Sequence, residues 1–421
     1  MTDVTAADVE DLFRLILDRR PESPAVVAHH QSLGLDRTGL GRLLMQTPES
    51  RERERRRGAL DAMAADSGSR GWPRENGAPK RVVLWGAFGN GNIGDSAQAC
   101  AVADLLRPLL PAGTVFGASS WERRSTFPAP DGMVLPTGAV LGPLGLDADL
   151  LVIGGGGLFG TPHFPLSEPG WAEAVVTRGL PVVLLGVGGA AAALDAHAPA
   201  YDPLLRHAAW VGVRDAETLA AVRRVRPDAA WFPDPVLARA VLTAAIMNLT
   251  ERPVDALLIP RVPNGPEDAA ALDGMLAWRA AAMARGSRIE TTVLEPALDC
   301  AALARRGLAD PSQPGDWAAL LAQCRRAKTV VSLRLHGAIA GIEAGCVVHG
   351  LTQPKTRLLF EELGLSDWFS SSWRDPDTGE SSNRSFAAAR DAGMLVWRNR
   401  LRASITELGA GLATIPWRME A

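Results

Sequence analysis

The sequence predicts an α/β protein built from two Rossmann-like halves. Three observations carry this. From Arg81 onward, short apolar runs alternate with segments of helical spacing, the pattern of a mostly parallel sheet covered by helices. The alternation pauses over about Leu237–Pro253 and then resumes, so two such sets stand in series. Each set is near the size of one Rossmann-like domain, and 421 residues leave room for two or three domains.

The elements follow in order. Residues 1–66 read as a helical module. Val9, Leu12, Phe13, Ile16 and Leu17 share one helix face, Pro21 and Pro24 stop that helix, a second follows Pro24, and a third holds Leu40, Leu43 and Leu44. Arg51–Arg57, RERERRR, is a charge run on a solvated helix, and its alternating glutamates argue against nucleic acid. Residues 67–80, rich in Gly, Pro and Ser, form the linker. The first domain, 81–240, has strands at Val82–Gly86, Thr114–Ala118, Leu150–Ile153, Pro181–Val187 and Trp210–Val213. Its helices fall at Asp95–Leu110, Glu168–Arg178, Tyr201–Ala209 and Ala216–Val225. The second domain, 250–380, has strands at Ala256–Ile259, Ile289–Leu294, Val330–Leu333 and Cys346–Gly350. Helices are expected at Asp268–Ala284, Trp317–Arg325, from His336, and around Phe360–Leu363. Residues 381–421 carry a last helix, Ser382–Leu408, expected to cross back onto the first domain.

Composition narrows the function. With 47% apolar and 22% charged residues the chain reads as an ordinary globular protein. A formal net charge of −3 gives no basic field for nucleic acid. Cys100, Cys300, Cys324 and Cys346 are far apart without ligand spacing, which fits reduced thiols and suggests no metal site. The acidic start (Asp3, Asp8, Glu10, Asp11) lacks a basic region followed by an apolar one, so a cytoplasmic location is expected.

The chemistry is expected where strands run into helices, because free N–H groups there attract anions. Thr329–Gly345, TVVSLRLHGAIAGIEAG, is such a turn. Arg334 supplies a forked cation and His336 a group that titrates near neutrality. A surface arginine beside a capping histidine would also account for these residue types. Gly86–Asp95 is dominated by Gly and Asn, so its turn can bend sharply and bring backbone against a sugar or an anion. Asn92 and Asp95 are the candidate contacts there, and Asp95 could equally cap the next helix. No GxGxxG and no Walker lysine is present, which argues against a dinucleotide. Gly155 and Gly156 end a buried strand and permit close approach of ligand or backbone. Arg214 and Arg261 each follow a strand.

Taken in order, GNGNIGDSA (Gly89–Ala97), LLVIGGGGLF (Leu150–Phe159), VGVRD (Val211–Asp215), DPV (Asp234–Val236), RLHG (Arg334–Gly337) and KTRLLFEELGL (Lys355–Leu365) resemble the polysaccharide pyruvyl transferase family over roughly Arg81–Phe369. The resemblance implies a fold like that of B-type glycosyltransferases, with the site in a cleft between the halves. It implies phosphoenolpyruvate as donor and no separate cofactor. His336 would be the acid/base and Arg214 a second catalytic group. Arg334, Arg261, Asn92, Asp95, Gly155, Gly156 and Lys355 would bind substrate. The acceptor would be a glycan or lipid-linked sugar, which leaves room for peripheral membrane association and for a homo-oligomer.

The chain departs from the family pattern at three places. Ser96 stands where an acidic residue often follows the aspartate, Gly186–Ala190 lacks a proline, and LTQPK precedes Lys355 in an unusual form. These put the acceptor's identity in question more than the donor's. A nucleotide-sugar glycosyltransferase of the same fold, and a non-catalytic member that binds a glycan or partner, remain the alternatives.

Overall fold

The computed structural model describes residues 4–13, 16, 21, 23–45, 47, 50, 80–120, 127–135, 148–159, 171–189, 194–195, 198–243, 252–308, 310–376 and 380–415. The charge run at 51–57 and linker residues 67–79 lie outside them.

Three short helices open the chain: α1 (Ala6–Leu12), α2 (Pro24–Gln31) and α3 (Arg37–Met45). Thr5 and Asp8 form a reciprocal cap on α1, and Ser23 caps α2 ahead of Pro24. Val4, Val9, Leu12, Phe13, Leu40 and Leu44 pack as a small core of their own.

The first half alternates β1 (Arg81–Gly86), α4 (Ile93–Leu106), β2 (Val115–Ser120), β3 (Leu150–Gly154), α5 (Trp171–Thr177), β4 (Val182–Val187), α6 (Ala198–His207), β5 (Trp210–Val213), α7 (Ala216–Val222), β6 (Ala230–Trp231) and α8 (Pro235–Thr243). Its sheet has the order β2-β1-β3-β4-β5-β6, and every pair is parallel. Strands β1, β3, β4 and β5 are buried on both faces, which is why they read as continuous apolar runs.

The second half runs β7 (Val254–Ile259), α9 (Pro266–Ala284), β8 (Ile289–Thr291), α10 (Pro296–Ala304), α11 (Trp317–Arg326), β9 (Ala327–Ser332), α12 (Leu335–Glu343), β10 (Val347–Leu351), α13 (Pro354–Glu362) and β11 (Phe369–Ser370). Its parallel sheet has the order β11-β10-β9-β7-β8. The two Rossmann-like halves are therefore present.

Two helices differ from expectation, and the two-residue strands β6 and β11 at the sheet edges carry too little pattern to be expected. The start of the presumed interdomain stretch is helix α8, which buries Val236, Leu237, Ala238, Ala240 and Val241. Pro235 opens that helix rather than breaking it, since a first-turn residue needs no N–H partner. Helix α10 was not foreseen, and it too begins on a proline, Pro296.

The closing helix α14 (Glu380–Ala413) touches both halves. Trp397 stacks edge-on against Trp231 of the first half and donates from Nε1 to Glu362 O of the second. Ser404 Oγ donates to Trp231 O, and the Arg400 guanidinium lies 3.9 Å over the Trp231 ring. No helix among the described residues is long and apolar enough to cross a membrane.

The sheets meet through their carboxyl edges. Ile93 N donates to Leu294 O across the gap at 3.0 Å. A Cβ built on Gly94 would lie 2.1 Å from His336 Cγ, so the first turn of α4 rests directly on the α12 histidine.

Candidate functional site

Every candidate side chain sits just past the carboxyl end of a strand, where open parallel sheets bind ligands. Asn92 and Asp95 follow β1, Gly155 and Gly156 follow β3, and Arg214 follows β5. Arg261 follows β7, Arg334 and His336 follow β9, and Lys355 follows β10.

His336 is the junction of the two halves. It lies in the first turn of α12, is 5% exposed, and packs edge-on to Trp317. Its Nε2 is 3.3 Å from Asp234 Oδ2, and its Nδ1 is 3.6 Å from Asp95 Oδ1. Gln98 Nε2 donates to Asp234 Oδ2 at 2.9 Å and stands 3.1 Å from His336 Nε2. So three first-half side chains hold one second-half imidazole. Burial alone would push the Asp234 carboxyl up, but His336, Arg214 and the Val236 amide hold it below the ordinary carboxylate range. An imidazolium here is matched by a carboxylate at each nitrogen. His336 is thus not a capping residue; the N-cap of α12 is Arg334.

The Gly/Asn turn is built to make this contact. Gly89 and Gly91 adopt positive φ. Asn92, not Asp95, caps α4, with its side-chain oxygen accepting from Gly94 N at 2.9 Å. Asp95 is free of that duty, accepts from Asn90 Nδ2 at 2.8 Å and turns toward His336. The close approach at Gly155 and Gly156 is made by protein. Both are buried, and a Cβ on Gly155 would fall 1.9 Å from Gln98 Oε1. These glycines seat the glutamine that braces Asp234 rather than forming an open ligand surface.

Three arginines and a lysine surround this centre. Arg214 lies against bare Gly188, where a Cβ would meet its Nη2 at 2.7 Å, and its nearest ion-pair partner is Asp215 at 3.8 Å. Arg261 is 3.9 Å from Asp268, and Asp268 also accepts from Thr352 Oγ1 at 2.6 Å, which ties the arginine to the turn that launches α13. Burial lowers the Arg261 pKa from its ordinary value, opposed by Asp268. Lys355 opens to solvent within the cleft. The protein mass around its ammonium, then Arg214, push its pKa down to about 8, with Arg261 and Arg334 adding to the shift and Asp95 opposing it. All three arginines are therefore within electrostatic reach of Lys355.

Arg334 differs from the sequence expectation of a free anion clamp. Its Nε and Nη2 grip both oxygens of Asp299 at 2.7–3.1 Å, and its Nη1 pairs with Glu295 at 3.1 Å. Sequence reasoning missed these two carboxylates, along with Asp234 and Gln98. The DPV motif containing Asp234 was visible, but its partner is 102 residues away. Nothing in the sequence marks Glu295 or Asp299.

Comparison with known proteins follows this geometry. The family described as polysaccharide pyruvyl transferase matches residues 92–353, more than half of the chain. No curated protein matches. Among solved structures, the chain is similar to the UDP-GlcNAc 2-epimerase of Neisseria meningitidis bound to UDP-GlcNAc, with TM-score 0.50 and 9% identity over 78% of this chain and 99% of that one. It is also similar to a putative UDP-N-acetylglucosamine 2-epimerase of Listeria monocytogenes, with TM-score 0.47 and 11% identity over 80% of this chain and 98% of that one. At 9% identity the likeness to the Neisseria meningitidis structure concerns the fold alone and carries no substrate across.

Proposed function

The chain belongs to the polysaccharide pyruvyl transferase family, and from that premise we propose that it moves a pyruvyl group from phosphoenolpyruvate onto two hydroxyls of a sugar, in a glycan or a lipid-linked precursor. One observation supports this reading above others. Four cations, Arg214, Arg261, Arg334 and Lys355, surround a cleft whose histidine is held between two carboxylates. A small donor carrying a carboxylate and a phosphate suits such a site.

The residues divide the work. Arg214 and Lys355 hold the phosphate and offset its charge as it departs, fixed cations standing where the negative charge develops. Arg261 and Arg334 face the carboxylate end. His336, with Asp95 at Nδ1, carries the proton. The proton goes to the methylene carbon, which becomes a methyl group, while one sugar oxygen bonds to the central carbon and sheds its proton to the emptied base. The carbon–oxygen bond to phosphate then breaks, and inorganic phosphate leaves with the electron pair. A second sugar oxygen bonds to the same carbon, gives its proton to the departing phosphate, which leaves as hydrogen phosphate, and closes the ketal. Asp234 keeps the ring oriented throughout.

The test is direct. Protein incubated with phosphoenolpyruvate and cell glycans should yield a glycan heavier by one pyruvate ketal, with one phosphate released per ketal. Calorimetric titration should show phosphoenolpyruvate binding and uridine diphosphate failing to bind. Binding of uridine diphosphate without phosphoenolpyruvate would move the chain to the glycosyltransferase reading.

A further inference from the structure

Arg334 is paired on two sides by carboxylates of unequal standing, and that inequality has a use. Asp299 is fully buried and fixed. Besides the guanidinium it accepts from Val262 N at 2.8 Å and Glu295 N at 3.3 Å. Moving it would orphan several donors at once, so it stays. Glu295 is half-buried at the N-cap of α10, and Arg334 Nη1 is the one ion-pair partner of its carboxylate among the described residues. It faces the first half directly, because a Cβ on Gly91 would meet its Cγ at 3.9 Å. A guanidinium has five N–H donors in a fixed fork. With Nε and Nη2 committed to Asp299, the Nη1 side is what a forked anion would need, and Glu295 sits on it.

We propose that Glu295 is a displaceable internal counter-anion: it holds the Nη1 edge of Arg334 until a substrate carboxylate or phosphate takes its place, so it sets donor affinity and couples it to a proton. The proposal rests on the reading of the cleft as an anion site. The charges facing Glu295 are Arg334 from α12, Asp299 from α10, Asp95 from α4 and Arg261 after β7. Burial, then Asp299 and Asp95, hold its carboxyl above the ordinary glutamate range, with Arg334 opposing them. The sign follows. Below that raised pKa Glu295 is neutral, competes poorly for Nη1 and repels no anion, so affinity rises as pH falls through it. Above it the carboxylate competes and this gain in affinity is lost.

The experiment compares wild type with Glu295→Gln, which keeps shape and removes charge, by titration with phosphoenolpyruvate and with inorganic sulfate, whose charge is constant over the pH range used. Glu295→Gln should bind both anions about tenfold more tightly at neutral pH, the scale of one pKa unit of coupling, and should lose the rise in sulfate affinity toward acid pH that wild type shows. Asp299→Asn, in contrast, should bind both anions more weakly, because it frees the guanidinium to wander. Unchanged or weaker binding by Glu295→Gln, or an unchanged pH slope for sulfate, overturns the proposal. Tighter sulfate binding by the variant while neither protein binds phosphoenolpyruvate leaves Glu295 as stated and sinks the donor reading instead. If neither protein binds either anion, both are overturned.

Discussion

The two carboxyl edges of this molecule present the same local pattern, an arginine just after a buried strand, and use it differently. On the first half, Arg214 stands 13% exposed against a glycine, with one loose ion-pair partner at 3.8 Å among the described residues. On the second half, Arg334 is 11% exposed and gripped by two carboxylates. Exposure barely separates them; counter-ions do. A guanidinium whose donors are free can recognise a ligand, whereas one whose donors are committed first orders its own surroundings. The first edge thus offers charge, and the second half holds charge in reserve behind Glu295.

The largest expected effect breaks that comparison most cleanly. Arg334→Ala strands Asp299 in a buried site and leaves Glu295 without its partner. Removing one member of a buried pair costs on the order of 3 kcal/mol. Arg214→Ala should cost at most about 1 kcal/mol, the scale of a loose pair, because Asp215 keeps its bonds to Thr218. Its loss should appear instead as donor affinity weaker by about 1.5–3 kcal/mol. Denaturant unfolding and phosphoenolpyruvate titration on both variants check this. Equal stability losses would mean that the two arginines are not distinguished by their partners.

His336 comes next, since it is where the edges touch. His336→Ala should cut turnover by roughly 100-fold or more, the scale of a lost general acid, with a smaller change in donor binding because Arg214, Arg261 and Lys355 remain. A melting point and a turnover number from the same sample decide the matter. Near-normal turnover with a depressed melting point would make the histidine a structural pin between the halves.

Much of the fold was legible because strands buried on both faces must be apolar throughout, and β1, β3, β4 and β5 are. Helices α8 and α10 were not, because a first-turn proline reads as a break and short alanine-rich turns carry little amphipathic signal. At the site, Arg214, Arg261, Arg334 and His336 could be named from their places after strands, and Lys355 from the family resemblance. Their partners could not. Asp234 lies 102 residues from His336, and Asp299 lies 35 from Arg334. Pairing across such separations is set by how two sheets face each other, which no local pattern encodes. The same blindness left the cap of α4 open: Asp95 could have filled it, but Asn92 does, which leaves Asp95 to face the opposite histidine.

Gly94 sharpens the comparison at the contact itself. A Cβ there would sit 2.1 Å from His336 Cγ and 2.3 Å from Nδ1, and that ring is braced at both nitrogens. Something must shift, either α4 away from α12 or the imidazole away from Asp95. Overpacking of this kind costs about 1–3 kcal/mol. Gly94→Ala should lower the melting point and also lower turnover in the folded fraction, with donor affinity less affected. Full turnover at wild-type stability would show that the halves can part here without consequence.

The smallest effect is the one that belongs to both edges. Lys355 stands in the second half yet feels Arg214 of the first as strongly as any other charge, and its pKa is pushed down to about 8. The sign is set by what is lost. Below about pH 8 the ammonium is present and attracts the donor; as pH rises through about 8 the charge disappears and donor affinity falls. A phosphate's second ionisation lies near about 6, so the donor's own charge is constant across this window and cannot produce the limb. Because Lys355 is open to cleft water, the drop should be only about two- to fivefold, the scale of a solvent-exposed ion pair. Bound phosphate favours the ammonium, so the midpoint should move upward as donor saturates the site. Lys355→Met should bind donor at the wild-type high-pH level at every pH from 7 to about 9.5 and show no limb. A titration series over that range reads both curves. A limb that survives in Lys355→Met would have to come from another group on either edge, and the lysine would then be a bystander to the arginines it repels.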